Sequence, residues 1–225
     1  MPRKLLIAVA GVVTVVLLVV VGTAVYVSVQ NDKAPEELAL SDTEDATDGT
    51  ATLTEDDLAG EWQVSDGSEA GYRVEEVLNG QDVTVVGRTS DVDGTFTVEG
   101  TELTAADVEV SMTTITSDSG NRDGQFLDIL RTEEHPTATF TLTEPVDVAD
   151  VVDGTVSVQA AGEMTIAGQT QEVVVDLQAQ ATADGVEVSG TLPVAFSDYG
   201  IDAPDLGFVK VEDTGTVEML LTLSK

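Results

Sequence analysis

From Trp62 onward the chain alternates, and that period is what most narrows its fold. The run "DVEVSM" puts Val108, Val110 and Met112 on one face. "TATFTLT" puts Ala138, Phe140 and Leu142 on one face and threonines on the other. "VVVDLQAQA" aligns Val173, Val175, Leu177, Ala179 and Ala181; "VEVSGTLPVAF" aligns Val186, Val188, Leu192, Val194 and Phe196. "TVEMLLTL" aligns Val217, Met219, Leu221 and Leu223. Successive side chains of a strand point to opposite faces, so this writing buries one face of each strand and wets the other. Antiparallel strands follow. Turn signals separate the runs: "DVDGT" at 91–95, "VDGT" at 152–155, "IAGQT" at 166–170 and "ADGVE" at 183–187, the last a tight hairpin turn between two long strands.

The runs number about eight. One interruption, "RDGQFLDILR", carries Phe126, Ile129 and Leu130 at helical spacing and predicts a short helix, with Pro136 as its stop signal. Consecutive antiparallel strands close on themselves to remove their edges. About eight strands enclose an interior that is filled by side chains or holds one small ligand. Alternation alone therefore leads to an all-β barrel or sandwich.

The N-terminus is of another kind. Residues 5–29, "LLIAVAGVVTVVLLVVVGTAVYVSV", hold no charged side chain. As a helix they rise roughly 37 Å, enough for a ~30 Å hydrocarbon core with tilt. Arg3 and Lys4 precede the run. Positive flanks stay in the cytoplasm, which predicts a cytoplasmic stretch 1–4, a transmembrane helix 5–29 and an extracytoplasmic remainder. The expected location is the cell membrane, single-pass. The alternative is secretion after signal cleavage, but the run exceeds the ~7–15 residues of a signal core and no small-x-small site follows it. Residues 30–58 are acidic and without aromatics, and read as a flexible linker. Within them Glu44, Asp48, Gly49 and Glu55 imitate a calcium loop, but Ala46 stands where a ligand is needed. Residues 59–225 form the folded domain.

Charge and composition exclude several functions. The chain carries 9 Lys and Arg against 42 Asp and Glu, a net charge of −33. Residues 34–225 alone hold six of the former and 41 of the latter, a balance of −35. Such a surface repels nucleic-acid phosphate and anionic headgroups, so nucleic acid is discarded as a partner. There is no cysteine, which removes disulfides, thiolate metal sites and cysteine nucleophiles. No nucleophile elbow, phosphate loop or histidine metal motif is present.

Seven ordered stretches then carry a resemblance. "GEWQV" and "AGYRVEEVL" open it, and "VVGRTSDVDGTFTVEG" is similar to a G-R-F…G-x-F hairpin. "TTITSDSGNRD" ends a Ser/Thr-rich run in Arg-Asp, and "HPTATFT" resembles a Y/H-P-x-x-x-F signature. "GEMTIAGQTQEVVVDL" and "AFSDYGI" resemble the late hairpin and the F-S-D-x-G-I element. From about Gly60 to the end, the chain resembles the YceI family of lipocalin-like, polyisoprenoid-binding proteins. It departs in a slightly shorter segment between Asp123 and His135 and in its added N-terminal anchor. The resemblance implies an extended antiparallel, lipocalin-like β-barrel around an elongated apolar tunnel, a long isoprenoid or other lipid inside, no cofactor and no enzymatic activity.

The expected lining is the set of inward apolar positions within these motifs: Tyr72, Val74, Phe96, Val110, Phe126, Phe140 and Phe196. Arg88, Arg122 and His135 are the polar candidates for the rim. His135, the only histidine, has no second histidine or cysteine to share a metal, and beside Pro136 it reads first as a structural corner. Asp123 reads as a helix cap and Arg122 as its partner, with headgroup guidance as the sharper alternative for Arg122. The function expected is a membrane-tethered binder of an elongated apolar lipid, polyisoprenoid or quinone-like. The competing expectation is a ligand-free envelope interaction domain with a packed barrel. The sequence names no protein partner.

Overall fold

The computed structural model describes residues 21–25, 27–41, 53–183 and 185–225. The first part of the apolar run and residues 42–52, with most of the calcium-loop imitation, lie outside the described residues. Among the described residues, no helix is long and apolar enough to cross a membrane.

The strands, in chain order, are β1 (Gly60–Val64), β2 (Glu69–Leu78), β3 (Gln81–Thr89), β4 (Val92–Glu99), β5 (Glu102–Ser111) and β6 (Thr137–Leu142). They continue with β7 (Val146–Asp147), β8 (Val156–Ile166), β9 (Gln169–Ala181), β10 (Val186–Ala195) and β11 (Val209–Ser224). Every pairing is antiparallel. Eight strands form a ring in the order β1-β4-β5-β6-β8-β9-β10-β11, closed where Gln63 and Val64 meet Ser224 and Leu223. This is the expected closed barrel with one short helix. Closure follows from the length of β11: its C-terminal end pairs β1, while its earlier part, from Val209 to Leu220, pairs β2. The β2–β3 hairpin therefore flares away from the ring. The helix Gly120–Ile129 lies beside the flare, reached from β3 through a bridge between Arg88 and Thr116.

The barrel interior has two apolar layers. At the closed end Trp62, Phe96, Val186, Val188, Leu221 and Leu223 pack with Leu58. Leu58 ends the short helix Glu55–Leu58, which covers this end beside Val151. The Trp62 indole N–H donates to the Leu58 carbonyl at 2.8 Å, and Lys225 Nζ sits 4.8 Å over the ring. At the other end Met112, Ile115, Leu130, Met164, Ile166, Leu192 and Tyr199 cluster around open space.

Two local signals resolve differently from the sequence reading. "DVDGT" is no turn: Gly94 lies inside β4, where a Cβ would sit 2.8 Å from the Asp107 carbonyl. The glycine serves close strand approach, and the chain only bends at 90–91, where β3 leads into β4 running in the same direction. Pro136 does not stop the helix. The helix ends at Ile129 because Arg131 adopts φ 52° and a Schellman closure forms. Thr132 N–H donates to Leu127 O, and Arg131 N–H to Asp128 O. Pro136 instead precedes β6.

The described part of the acidic linker is laid on the barrel. Residues 34–41 run across outward faces of the sheet as a strap. Arg73 donates to Pro35 O at 2.8 Å, and Arg88 donates to Glu36 O. Leu38 is buried, and its N–H donates to Glu218 at 3.3 Å. Ser41 donates to Glu187 through N–H and hydroxyl, and Gln180 donates to Ser41 O. Composition predicted a flexible chain here. What composition misses is that an arginine pair on the barrel offers partners to the strap's carbonyls.

Candidate functional site

A cavity of about 230 Å³ opens in the upper half of the barrel. Its wall is almost wholly apolar, built from the inward residues of β2, β5, β6, β8 and β11, the helix Gly120–Ile129 and the loop after β10. Parity decides which residues enter. Tyr72 and Val74 of β2 lie opposite Gly87 and Val85 of β3, so both pairs share the inner face. Arg73 and Val86 then face out.

Tyr72 shows how the wall is made. A Cβ on Gly87 would fall 2.4 Å from its ring, so the phenol lies flat on that glycine. Its other side stacks on Phe126, with centroids 4.8 Å apart and planes 13° from parallel. The helix is thereby docked on the flared hairpin through one aromatic pair. Burial pushes the Tyr72 pKa up to about 12, although the Arg122 guanidinium opposes it. Phe140 takes similar advantage of Gly162 on β8, where a Cβ would meet its ring at 2.4 Å.

The polar part of the wall is small. Glu76, Arg122 and Gln125 border the opening beside the helix. Arg122 Nε is 3.5 Å from Glu76 Oε1, and its guanidinium also pairs with Asp118 one turn away. Asp123 turns from the helix to the preceding loop, accepting from Ser117 N–H at 2.8 Å and from its hydroxyl at 2.6 Å.

The structure brings together six of the seven expected lining residues: Tyr72, Val74, Val110, Phe126, Phe140 and Phe196 all border the cavity. Phe96 does not. It lines a separate chamber of about 80 Å³ at the closed end, with Trp62, Leu177 and Leu223. Of the expected rim residues, Arg122 is at the mouth. Arg88 is on the outer surface of the barrel, since it pairs with Gly71 on the face opposite Tyr72. There it lies 3.2 Å from Glu218, and Arg73 lies 3.4 Å from the same carboxylate. Glu218 is 1% exposed beneath the strap. His135 stands apart from the cavity. Its ring packs on Gly168 of the β8–β9 turn, where a Cβ would meet it at 2.5 Å, and the His135 backbone N–H donates to Arg131 O. That is the corner role its place before Pro136 indicated.

Ile115, Tyr199, Ile201 and Pro204 also line the wall. They come from loops and short 3₁₀ turns, where period two gives no face, whereas Met112, also on the wall, continues the alternation of Val108 and Val110. Met164 and Met219 line the cavity too, and their strands were legible.

The YceI-like domain family profile matches residues 62–223. No curated protein sequence matches the chain. Two solved structures share the fold. One is a polyisoprenoid binding domain from Saccharophagus degradans implicated in plant cell wall breakdown, at TM-score 0.60 and 18% identity, covering 74% of this chain and 98% of that one. The other is BcnA of Burkholderia cenocepacia, at TM-score 0.59 and 16% identity, covering 72% and 99%.

Proposed function

Because the chain belongs to the YceI-like domain family, we propose that it binds an apolar, uncharged lipid of isoprenoid or quinone type in the upper barrel cavity. We further propose that residues 5–29 tether it to a membrane with the barrel outside the cytoplasm. The observation that carries the reading is the cavity: about 230 Å³ of apolar-walled space inside the barrel. An apolar cavity of ~150 Å³ stays dry and takes up benzene. This one has room for roughly ten carbon atoms at the same density. Each buried CH₂ adds about 0.8 kcal/mol to affinity.

The mouth supports an uncharged head. Arg122 is the one cationic side chain on the wall among the described residues, and Glu76 and Asp118 already pair with it. Arg88 is committed to Glu218 outside. A phosphate head would have to displace Glu76 from Arg122 under the field of a strongly acidic protein. The mouth groups are tied to one another by charge, and this supports binding rather than catalysis.

The test is native mass spectrometry of the full chain, released from detergent after purification from an isoprenoid-making host, followed by organic extraction. A stoichiometric apolar adduct is expected. A bare mass that persists after incubation with quinones and isoprenoids replaces this reading with a ligand-free interaction domain. Titration with a quinone and a polyprenyl phosphate tests the head; tighter phosphate binding defeats the uncharged-head reading.

A further inference from the structure

One apolar feature of the surface has no partner in the barrel. Residues 204–211 form a small hairpin: Leu206 N–H donates to Val209 O at 2.9 Å, and Val211 N–H to Pro204 O at 3.0 Å. Gly207, at φ 80°, makes the tip. Asp205 folds its carboxylate back onto the Gly207 N–H at 2.9 Å. The two side chains beside the glycine, Leu206 and Phe208, are 58% and 60% exposed. A protein this acidic has ample polar residues for a solvent-facing turn, so a paired Leu and Phe there points to a nonaqueous neighbour.

The tip belongs to the rim of the cavity. Ala203, Pro204, Leu206 and Val209 line that cavity. Phe208 O accepts from Asn79 N–H at 2.9 Å, which ties the tip to the turn between β2 and β3. The same β2–β3 end receives the last turns of the apolar N-terminal run: Val27 is buried against Val83 and Val85, with Leu78 packed on them. Asn31 fastens this segment to the open edge of β3, donating to Asp82 O and accepting from Thr84 N–H, both at 3.0 Å. Val21, Val25 and Val29, spaced by one helical turn, stay exposed.

We propose that the 206–208 tip inserts into an electrically neutral lipid bilayer, holding the cavity mouth against the membrane so that the lipid enters without crossing water. The proposal rests on reading residues 5–29 as a membrane span. That span ends docked on the β2–β3 hairpin, to whose turn the tip is tied through Asn79. The occupant is a bilayer because the uncharged run leading into this end is itself of bilayer-spanning length. It is a neutral bilayer because the barrel's charge repels anionic headgroups.

The chain has no cysteine, so single labels are clean. The full chain, as Phe208→Cys or Val174→Cys, is labelled with a bimane fluorophore and reconstituted in phosphatidylcholine vesicles with or without brominated acyl chains. Val174 is also exposed, at 53%, but stands on the outer face of β9. Flotation of both variants is expected, with bromolipid quenching at 208 at least twofold above that at 174. Flotation with equal quenching overturns the docking and leaves the span reading standing. Failure to float overturns both.

Discussion

Tyr72 joins three functions in one side chain: it covers Gly87, stacks on Phe126 and forms part of the cavity wall. Its proton is held by the fold. The folded pKa of about 12 exceeds the ordinary 10.0, chiefly because burial disfavours the phenolate. The stability this gives is therefore complete below pH 10 and is lost as pH rises toward 12. Two units correspond to at most about 2–3 kcal/mol. Burial raises Tyr199 as well, so part of the alkaline loss belongs there. Denaturant unfolding at pH 8 and pH 11 is expected to show a smaller alkaline loss in Tyr72→Phe than in the parent. An equal loss in both would place the alkaline sensitivity elsewhere. Glu218 is the second residue with a large stake. It holds Arg73, Arg88 and the Leu38 N–H at once while 1% exposed. Glu218→Ala leaves two guanidinium groups facing each other without a counterion. The expected loss is about 3 kcal/mol in urea unfolding. A loss under 1 kcal/mol would mean that solvent reaches the pair.

The strap is the element that sequence reasoning placed least well. Residues 34–41 are acidic and poor in aromatics, the composition of a solvated chain. They are ordered by partners distant in sequence: Arg73, Arg88, Gln180, Glu187 and Glu218. No local window contains those five, so no local reading could place the strap. The strands were different. Each of the long ones repeats its inward position several times, and Tyr72, Val74, Val110 and Phe140 follow the parity of their strands, while Phe126 comes from the helix and Phe196 from the turn after β10. Arg88 falls on the outer face and not at the rim, because a motif match fixes no face; its position opposite Gly71, next to the inward Gly87, does. The strap also carries a pH response. Burial raises the Glu187 pKa, but hydrogen bonds from Ser41 and Gln180 outweigh it, and the net shift is downward from 4.5. A lowered carboxyl adds stability above its unfolded value, and this is lost as pH falls below about 4.5. Amide exchange of residues 35–41 is expected to quicken between pH 5 and pH 3 relative to barrel amides, after correction for intrinsic rates. Glu187→Gln should remove most of that response, and an unchanged response would assign it to another carboxyl.

At the scale of the whole barrel, the question is how long a lipid it can hold. The resemblance predicted an elongated tunnel, whereas the interior is divided into chambers of about 230 and 80 Å³. The division was invisible in the sequence because it depends on where side chains from opposite walls meet, which alternation does not specify. Met219 packs with both apolar clusters, and so does Leu177. Their ends meet over Gly190, whose absent Cβ would stand 2.6 Å from Leu177 and 2.8 Å from Met219. Met219 lines the larger chamber and Leu177 the smaller. The partition is therefore a pair of side chains, one of them an unbranched, adaptable thioether. A longer chain must either leave its tail in the mouth or move Met219 aside. Met219→Ala removes the choice by joining the chambers. It should lower stability by about 2 kcal/mol through the cavity it creates. It should also favour longer ligands: five extra carbons in the joined space contribute up to about 4 kcal/mol. Measured by competitive titration, the preference for a fifteen-carbon over a ten-carbon isoprenoid alcohol is expected to rise at least tenfold. An unchanged ratio, with the stability loss present, would mean that the tail runs outward through the mouth and that the bilayer, not the lower chamber, receives the rest of the chain.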